Sequence, residues 1–470
     1  MERLIKTGQV KARHARDIAF SRIGIGFEKL DRNVFDPEKA YDPVAALGVK
    51  WVRIQSGWAR TEKEKGRYDF SWLDAIVDNL VSRGLKPWLC LCYGNGLYDE
   101  AADKVFGAVG CPPIHTEEAR AAWRAYVAAT VVRYRNRISH YEIWNEPDGQ
   151  WCWKHGVSAT EYGHFAIETA QAIRSAYPEA TIIGGAICLW DLFYLDEALA
   201  TGLHRYLDAV SFHEYTAREE KVFERVAALK ALCSRYNPAI EIIQGESGSQ
   251  SRSGGAGALK GGAWTPRKQA KQLARHTLAD LISPVAFTSY FSSMDMIEAL
   301  NGLVADKNSY LDYGYFGVLG ADFDENGFSS GVYTPKPSYY ALQTICSVFA
   351  GEVTPADLPM LRKPGRSERV FGQDFDGPNL ISSGFRKPDG SCAFVYWCSS
   401  DLMTTEFEST VTLQAVALDE DIRLVDLLDG SIYRFPDSMV ENLGGGRRLL
   451  KNIPIKDYPL LLTFGAFLGD

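Results

Sequence analysis

No uninterrupted apolar run in the 470 residues approaches the length of a membrane span. The opening stretch MERLIKTGQVKARHARDIAF is locally basic and contains no apolar segment of the kind that marks a secretory leader. No HExxH or comparable pairing occurs among the 8 histidines, so metal-ligand spacing is missing and no catalytic metal or other cofactor is predicted. No Gly-rich phosphate turn follows the first predicted strand, which argues against an open dinucleotide-binding sheet. The 9 cysteines are odd in number and follow no framework. Cys90 and Cys92 would share one face of a strand, where a disulfide is badly strained, so reduced thiols in a cytoplasmic protein are expected. Basic charge is also short. A net charge of -8 repels phosphate backbones and anionic lipid, so neither nucleic acid nor a membrane surface is expected as a partner. Oligomeric state stays open.

What is present is an ordinary soluble composition, 46% hydrophobic and 23% charged. The length exceeds what one core usually needs, so a large domain plus a smaller one is expected. From Ser21 onward, short β-branched runs alternate with longer amphipathic segments, the pattern of parallel strands joined by helices. Eight runs read as strands: 21–27, 50–58, 86–94, 140–146, 181–188, 207–215, 240–246 and 285–293. Helical periodicity lies between them at 71–84, 117–137, 158–178 and 266–283, with Ser158 and Glu161 spaced as a capping box. Eight such units over residues 21–351 predict an α/β fold, a (β/α)8 TIM barrel. Residues 352–470 change texture to short strands and turn signals such as Asp429-Gly430, and predict a β-sandwich that residues 1–20 could complete. A Gly/Ser-rich loop, 245–266, follows the seventh strand, where length and position favour function.

Catalysis in such barrels occurs at the C-terminal ends of the strands. The fourth strand ends in Trp144-Asn145-Glu146-Pro147 and the seventh in Gln244-Gly245-Glu246-Ser247. Two carboxylates on opposite sides of a barrel mouth fit glycoside hydrolysis, in which one protonates the leaving oxygen and the other attacks or supports the anomeric carbon. Strand alternation points Arg53 into the barrel, where a guanidinium needs an anionic partner, and Glu246 is the expected one. Glu142 shares the parity of Glu146 one pleat deeper and is expected to be paired in the inner layer. His213 and Tyr215 share a face at the end of the sixth strand. Glu28, Asn95, Trp58, Trp151 and Trp153 lie near strand ends and are candidate sugar contacts, with core packing the competing role. The abundance of aromatics, 11 Trp and 23 Tyr, fits either stacking on sugar faces or a large core.

The chain resembles clan A of the glycoside hydrolases, and within it family 39, the group containing β-xylosidases. The motifs GRYDFSWLD (66–74), YEIWNEPD (141–148), WCW (151–153), FHEY (212–215), QGES (244–247) and TPKPSYYAL (334–342) carry that resemblance, which runs from Ser21 to Phe349. It implies that Glu146 is the acid/base, Glu246 the nucleophile, and Asn145 the ligand of the hydroxyl next to the anomeric carbon. It also implies that His213 and Tyr215 bond the nucleophile and substrate. At the eighth strand, Tyr290-Phe291 stands where the family usually has a Trp after the tyrosine, leaving Phe291 as the sugar platform. The expected activity is retaining, exo-acting hydrolysis of β-linked glycosides in small oligosaccharides or aryl glycosides. A non-catalytic carbohydrate-binding protein and a transglycosidase with the same residues are the alternatives.

Overall fold

A computed structural model describes residues 4–298, 312–324, 329–363 and 380–469. Eight parallel strands close into a barrel: β1 (Ile23–Gly26), β2 (Trp51–Gln55), β3 (Lys86–Leu91), β4 (His140–Ile143), β5 (Thr181–Ile187), β6 (Ala209–Glu214), β7 (Glu241–Ser247) and β8 (Thr288–Tyr290). A helix follows each strand, from Tyr41–Ala46 after β1 to Pro337–Val348 after β8. The helix signals are local. Ser158 caps Ala159–Ala176 by accepting from the Glu161 amide, and Thr116 caps Glu117–Tyr134 in the same way. Gly84, at φ +81°, sits just past the end of Ser71–Ser82, in a conformation that a side chain resists.

The strands are shorter than the apolar runs foretold. The run through Trp58 leaves the barrel wall at Gly57, whose φ of +60° turns the chain into the short helix Trp58–Thr61. The last run forms only Thr288–Tyr290.

Two antiparallel sheets make the C-terminal sandwich. The seven-stranded sheet has Ser431–Arg434, Ile422–Asp426, Leu460–Phe464 and Cys392–Cys398 among its inner members. The N-terminal strand Ile5–Gln9 pairs with Ser431–Arg434 at its edge. The four-stranded sheet is built on Ser409–Val416 and Arg447–Ile455. Buried charge fixes this domain to the barrel: Lys271 on helix Pro266–Ile282 bonds both Asp457 oxygens at 2.9 and 3.0 Å. Arg275, one turn on, meets Glu219 at 2.7 Å, and Trp397 of the sandwich donates to the same carboxylate at 2.9 Å. All nine cysteines are free, and among the described residues no helix is long and apolar enough to cross a membrane.

Candidate active site

Alternation along β2 sends Trp51, Arg53 and Gln55 into the barrel at rising heights. Trp51 stacks on Phe287 at 4.4 Å and, with Trp88, Ile183, Ala209 and Ile243, plugs the lower end. Arg53 lies one layer higher and is fully buried. Its Nε and Nη2 meet Glu142 Oε2 at 2.8 and 2.6 Å, Nη1 reaches Glu28 Oε1 at 3.3 Å and also Glu246 Oε1, and Nη2 donates to Asn145 Oδ1 at 2.9 Å. Glu246 is therefore one of three carboxylates that share the guanidinium.

One guanidinium facing three carboxylates leaves an excess of buried negative charge, and protonation relieves it. Glu28 carries the proton. Burial, then repulsion from Glu246, pushes its carboxyl up to about 8, and Arg53 offsets only part of this. Its Oε2 has no hydrogen-bond partner. Gly26 makes room for it, because a Cβ there would lie 2.1 Å from that oxygen. Glu246 goes the other way. Burial pushes it up, but His213, Arg53 and the Tyr215 hydroxyl together hold it below the usual carboxylate range. Tyr215 donates to Glu246 Oε2 at 2.6 Å.

Local backbone breaks bring the two end-of-strand glutamates together. After β4, Trp144 and Glu146 both adopt positive φ, +66° and +46°, which costs a non-glycine residue on the order of 1 kcal/mol each. Tertiary contacts hold the turn: the Trp144 indole donates to the Cys152 carbonyl at 2.8 Å, and Trp151 donates to Glu146 Oε2. Asp148 accepts from the amides of Cys188 at 3.0 Å and Leu189 at 2.8 Å, tying this turn to the loop after β5. On β7, Ile243 packs inside the barrel and Gly245 lies against β6, where a Cβ would come within 2.9 Å of His213 Nε2. Strict alternation would turn Glu246 outward. Register shifts between Gln244 and Ser247, and between Phe212 and His213 on β6, turn it in. His213 Nδ1 then sits 2.9 Å from Glu146 Oε1 and 3.6 Å from Glu246 Oε2. Burial lowers the His213 pKa, but the two glutamates outweigh that and raise it.

One ligand atom from each of Glu146, His213 and Glu246 falls within 4.8 Å of the others, which makes this the set among the described residues able to surround a cation. Within it, Glu146 already bonds Trp151 and His213, and Glu246 bonds Arg53 and Tyr215.

Above the pair lies a cavity of about 490 Å³. Of the residues singled out in the sequence, Glu28, Asn145, Glu146, Trp151, Tyr215, Glu246 and Phe291 line it. Arg53 and His213 lie beneath it, fully buried, and act on it through the glutamates. Four candidate sugar contacts are placed elsewhere. Trp58 is buried, stacks on Tyr98 and Tyr126, and donates to Glu62 at 2.5 Å. Trp153 is buried among Trp144, Tyr162 and Phe165. Asn95 spends its amide on the Glu62 carbonyl at 2.8 Å and the Leu97 amide at 2.9 Å. Tyr290 is turned outward, with its hydroxyl accepting from the Ser249 amide at 3.4 Å. For each, the apolar ring or committed amide satisfies itself in packing.

Other wall residues escaped sequence reasoning. Lys29, at φ +66°, reaches Glu298 at 2.7 Å within the wall. Arg32 meets Gln55 at 2.7 Å. Glu214 is bonded by Arg225 at 2.6 Å through both oxygens. These pairs join segments far apart in the chain, and only Glu214, inside the FHEY motif, had a local signal. The loop after β7 contributes Gly257 and Ala258.

The profile of Glycosyl hydrolases family 39 matches residues 42–235, a stretch that carries β2 to β6 and Glu146 and ends before Glu246. A β-xylosidase of Geobacillus stearothermophilus is 27% identical over 171 residues, covering 33% of each chain. A β-galactosidase of Clostridium cellulovorans is 28% identical over 149 residues, 28% of this chain and 22% of that one. The match thus spans a third or less of the length of these curated relatives. Among solved structures, a family 39 glycoside hydrolase of Bacteroides cellulosilyticus superposes with a TM-score of 0.63 at 18% identity, covering 94% of this chain and 80% of that one. A monomeric β-xylosidase of Caulobacter crescentus gives 0.61 at 16% identity, covering 98% and 97%. At such identity these two show a shared barrel-plus-sandwich fold. The resemblance to clan A and family 39 read from the motifs is thus present in the family profile as well.

Proposed function

We propose, from this likeness to family 39 and from the site itself, that the chain is a retaining glycoside hydrolase that removes a terminal β-linked sugar. The observation that carries the proposal is the carboxylate pair. One oxygen of Glu146 and one of Glu246 lie within 4.8 Å of each other, with His213 Nδ1 2.9 Å from the first residue and 3.6 Å from the second. Such a close approach supports the retaining mechanism, whose carboxyl groups stand roughly 5–5.5 Å apart.

Glu246, ionised by the fields of His213 and Arg53 and oriented by Tyr215, attacks the anomeric carbon. Glu146 protonates the departing oxygen, and the bond between that oxygen and the anomeric carbon breaks as the bond to Glu246 forms. A water then enters from the vacated side. Glu146 takes its proton, the ester to Glu246 opens, and the second inversion restores the starting anomer. Asn145, held by Arg53, presents its amide beside the nucleophile to a neighbouring hydroxyl. A cavity of about 490 Å³, with the Lys29–Glu298 pair in its wall, favours one chain-end sugar over the middle of a polymer.

The anomer released first from a nitrophenyl β-glycoside, read by NMR before mutarotation, tests this, together with trapping by a fluorinated sugar. The expected results are retention and a label on Glu246. Inversion, or a label on Glu28 or Glu142, overturns the assignment. A panel of xylosides, galactosides, glucosides and arabinosides identifies the sugar.

A further inference from the structure

The cavity wall is uneven in polarity. On the side of β1, β2 and β8 it presents Glu28, Lys29, Arg32, Gln55 and Glu298, with the Phe291 ring under Lys29. On the other side, Val109 from the loop after β3 joins Trp151, Leu189 and Trp190 and the Cys152 and Cys188 thiols, bordered by the Glu214–Arg225 pair, whose guanidinium lies over the Trp190 ring at 5.3 Å. Glu146 belongs to the second side. Trp151 bonds it, and Asp148, two residues on, holds the amides of Cys188 and Leu189. Most polar atoms near that wall are committed: the Cys188 thiol and both backbone amides to Asp148, the Trp151 indole to Glu146, the Cys152 carbonyl to Trp144, and Arg225 to Glu214, while the Trp190 indole N–H has no hydrogen-bond partner among the described residues. The loop nevertheless holds large apolar side chains in water. Leu189 on the cavity rim is 56% exposed, and Phe193, in the first turn of the next helix, is 87% exposed.

An acid that protonates the departing oxygen must lie on the side from which the leaving group departs. A sugar there would find few free partners for its hydroxyls, and an unpaired hydroxyl loses its bonds to water. An alkyl or aryl group would cover Leu189 and Trp190 and gain from leaving water. We propose that the leaving-group subsite of this enzyme, formed by the loop after β5 with Trp151 and Val109, accepts a hydrophobic aglycone rather than a further sugar. The inference rests on the retaining-glycosidase proposal above. The polar side holds the sugar, and Leu189 and Trp190 hold the non-sugar portion.

The test uses the full chain and the sugar selected by the nitrophenyl panel. Methyl and octyl β-glycosides of that sugar have leaving groups of similar basicity, so the ratio of their kcat/KM values reports aglycone contact alone. The disaccharide of the same sugar supplies the competing leaving group. The expected outcome is an octyl-to-methyl ratio of about 10 or more, a disaccharide slower than the octyl glycoside, and a ratio reduced about 5-fold or more in Leu189→Asn. Leu189 is solvent-exposed, so Asn there is compatible with folding, which circular dichroism checks. A ratio near 1, a preferred disaccharide, or a ratio unchanged in Leu189→Asn overturns the aglycone assignment while hydrolysis of the nitrophenyl glycoside still stands. Loss of every turnover, nitrophenyl glycosides included, instead overturns the proposed activity.

Discussion

Replacing Glu28 by Gln should change how stability depends on pH. Glu28 is buried against Arg53 and Glu246, and its carboxyl is raised from 4.5 to about 8. The folded protein therefore keeps a proton that the unfolded chain releases above 4.5. Between those two values the unfolded state binds one proton fewer, so stability falls as pH rises, by about 1.4 kcal/mol per pH unit. The accumulated loss reaches at most about 5 kcal/mol, and the curve is flat above 8. Gln has the same shape and still offers Arg53 Nη1 an oxygen, but it cannot ionise. The variant should match the parent near pH 5 and exceed it by about 4 kcal/mol at pH 8. Urea midpoints of both proteins at half-unit steps from pH 5 to 8.5 measure the difference. Asp280, also raised to about 8, contributes the same slope to both and cancels. Parallel curves would show that Glu28 is ionised in the folded protein and that the charge count around Arg53 is wrong.

Tyr215→Phe removes the donor at 2.6 Å from Glu246 Oε2, so the acidic limb of kcat/KM should move to higher pH. The same variant should lose about 10-fold or more in kcat, and an unmoved limb would rule out this hydrogen bond as a support of the ionised form. Glu146→Ala should cripple substrates with poor leaving groups far more than activated aryl glycosides, which depart without protonation. Equal losses in both classes would remove Glu146 from the acid role. Arg53→Met leaves Glu28, Glu142 and Glu246 without their shared cation, and the cost in stability should be about 3–5 kcal/mol by denaturant titration. A loss under about 1 kcal/mol would mean that two of the three carboxyls are neutral.

The sequence by itself determined much of this protein because the signals are local. Period-2 and period-3.6 apolar patterns placed the eight strand-helix units, Ser158 and Glu161 marked a helix start, and the pair Glu146 and Glu246 fell at strand ends where a barrel exposes side chains. Parity on β2 likewise put Arg53 inside. Tertiary structure decided what depends on contacts across the barrel. Alternation alone would face Glu246 outward, and only the register shifts where β7 meets its neighbours bring it to Arg53. The positive φ of Trp144 and Glu146 is held by bonds to Cys152 and Trp151, which no propensity encodes. Trp58, Trp153, Asn95 and Tyr290 carry the residue types of a sugar site, yet packing claims them, because an aromatic ring serves a core as well as a ligand. The sharing of one guanidinium among three carboxylates, and with it the proton on Glu28, arises from distances between β1, β2, β4 and β7. No single stretch of the chain contains those distances, because closing the barrel creates them.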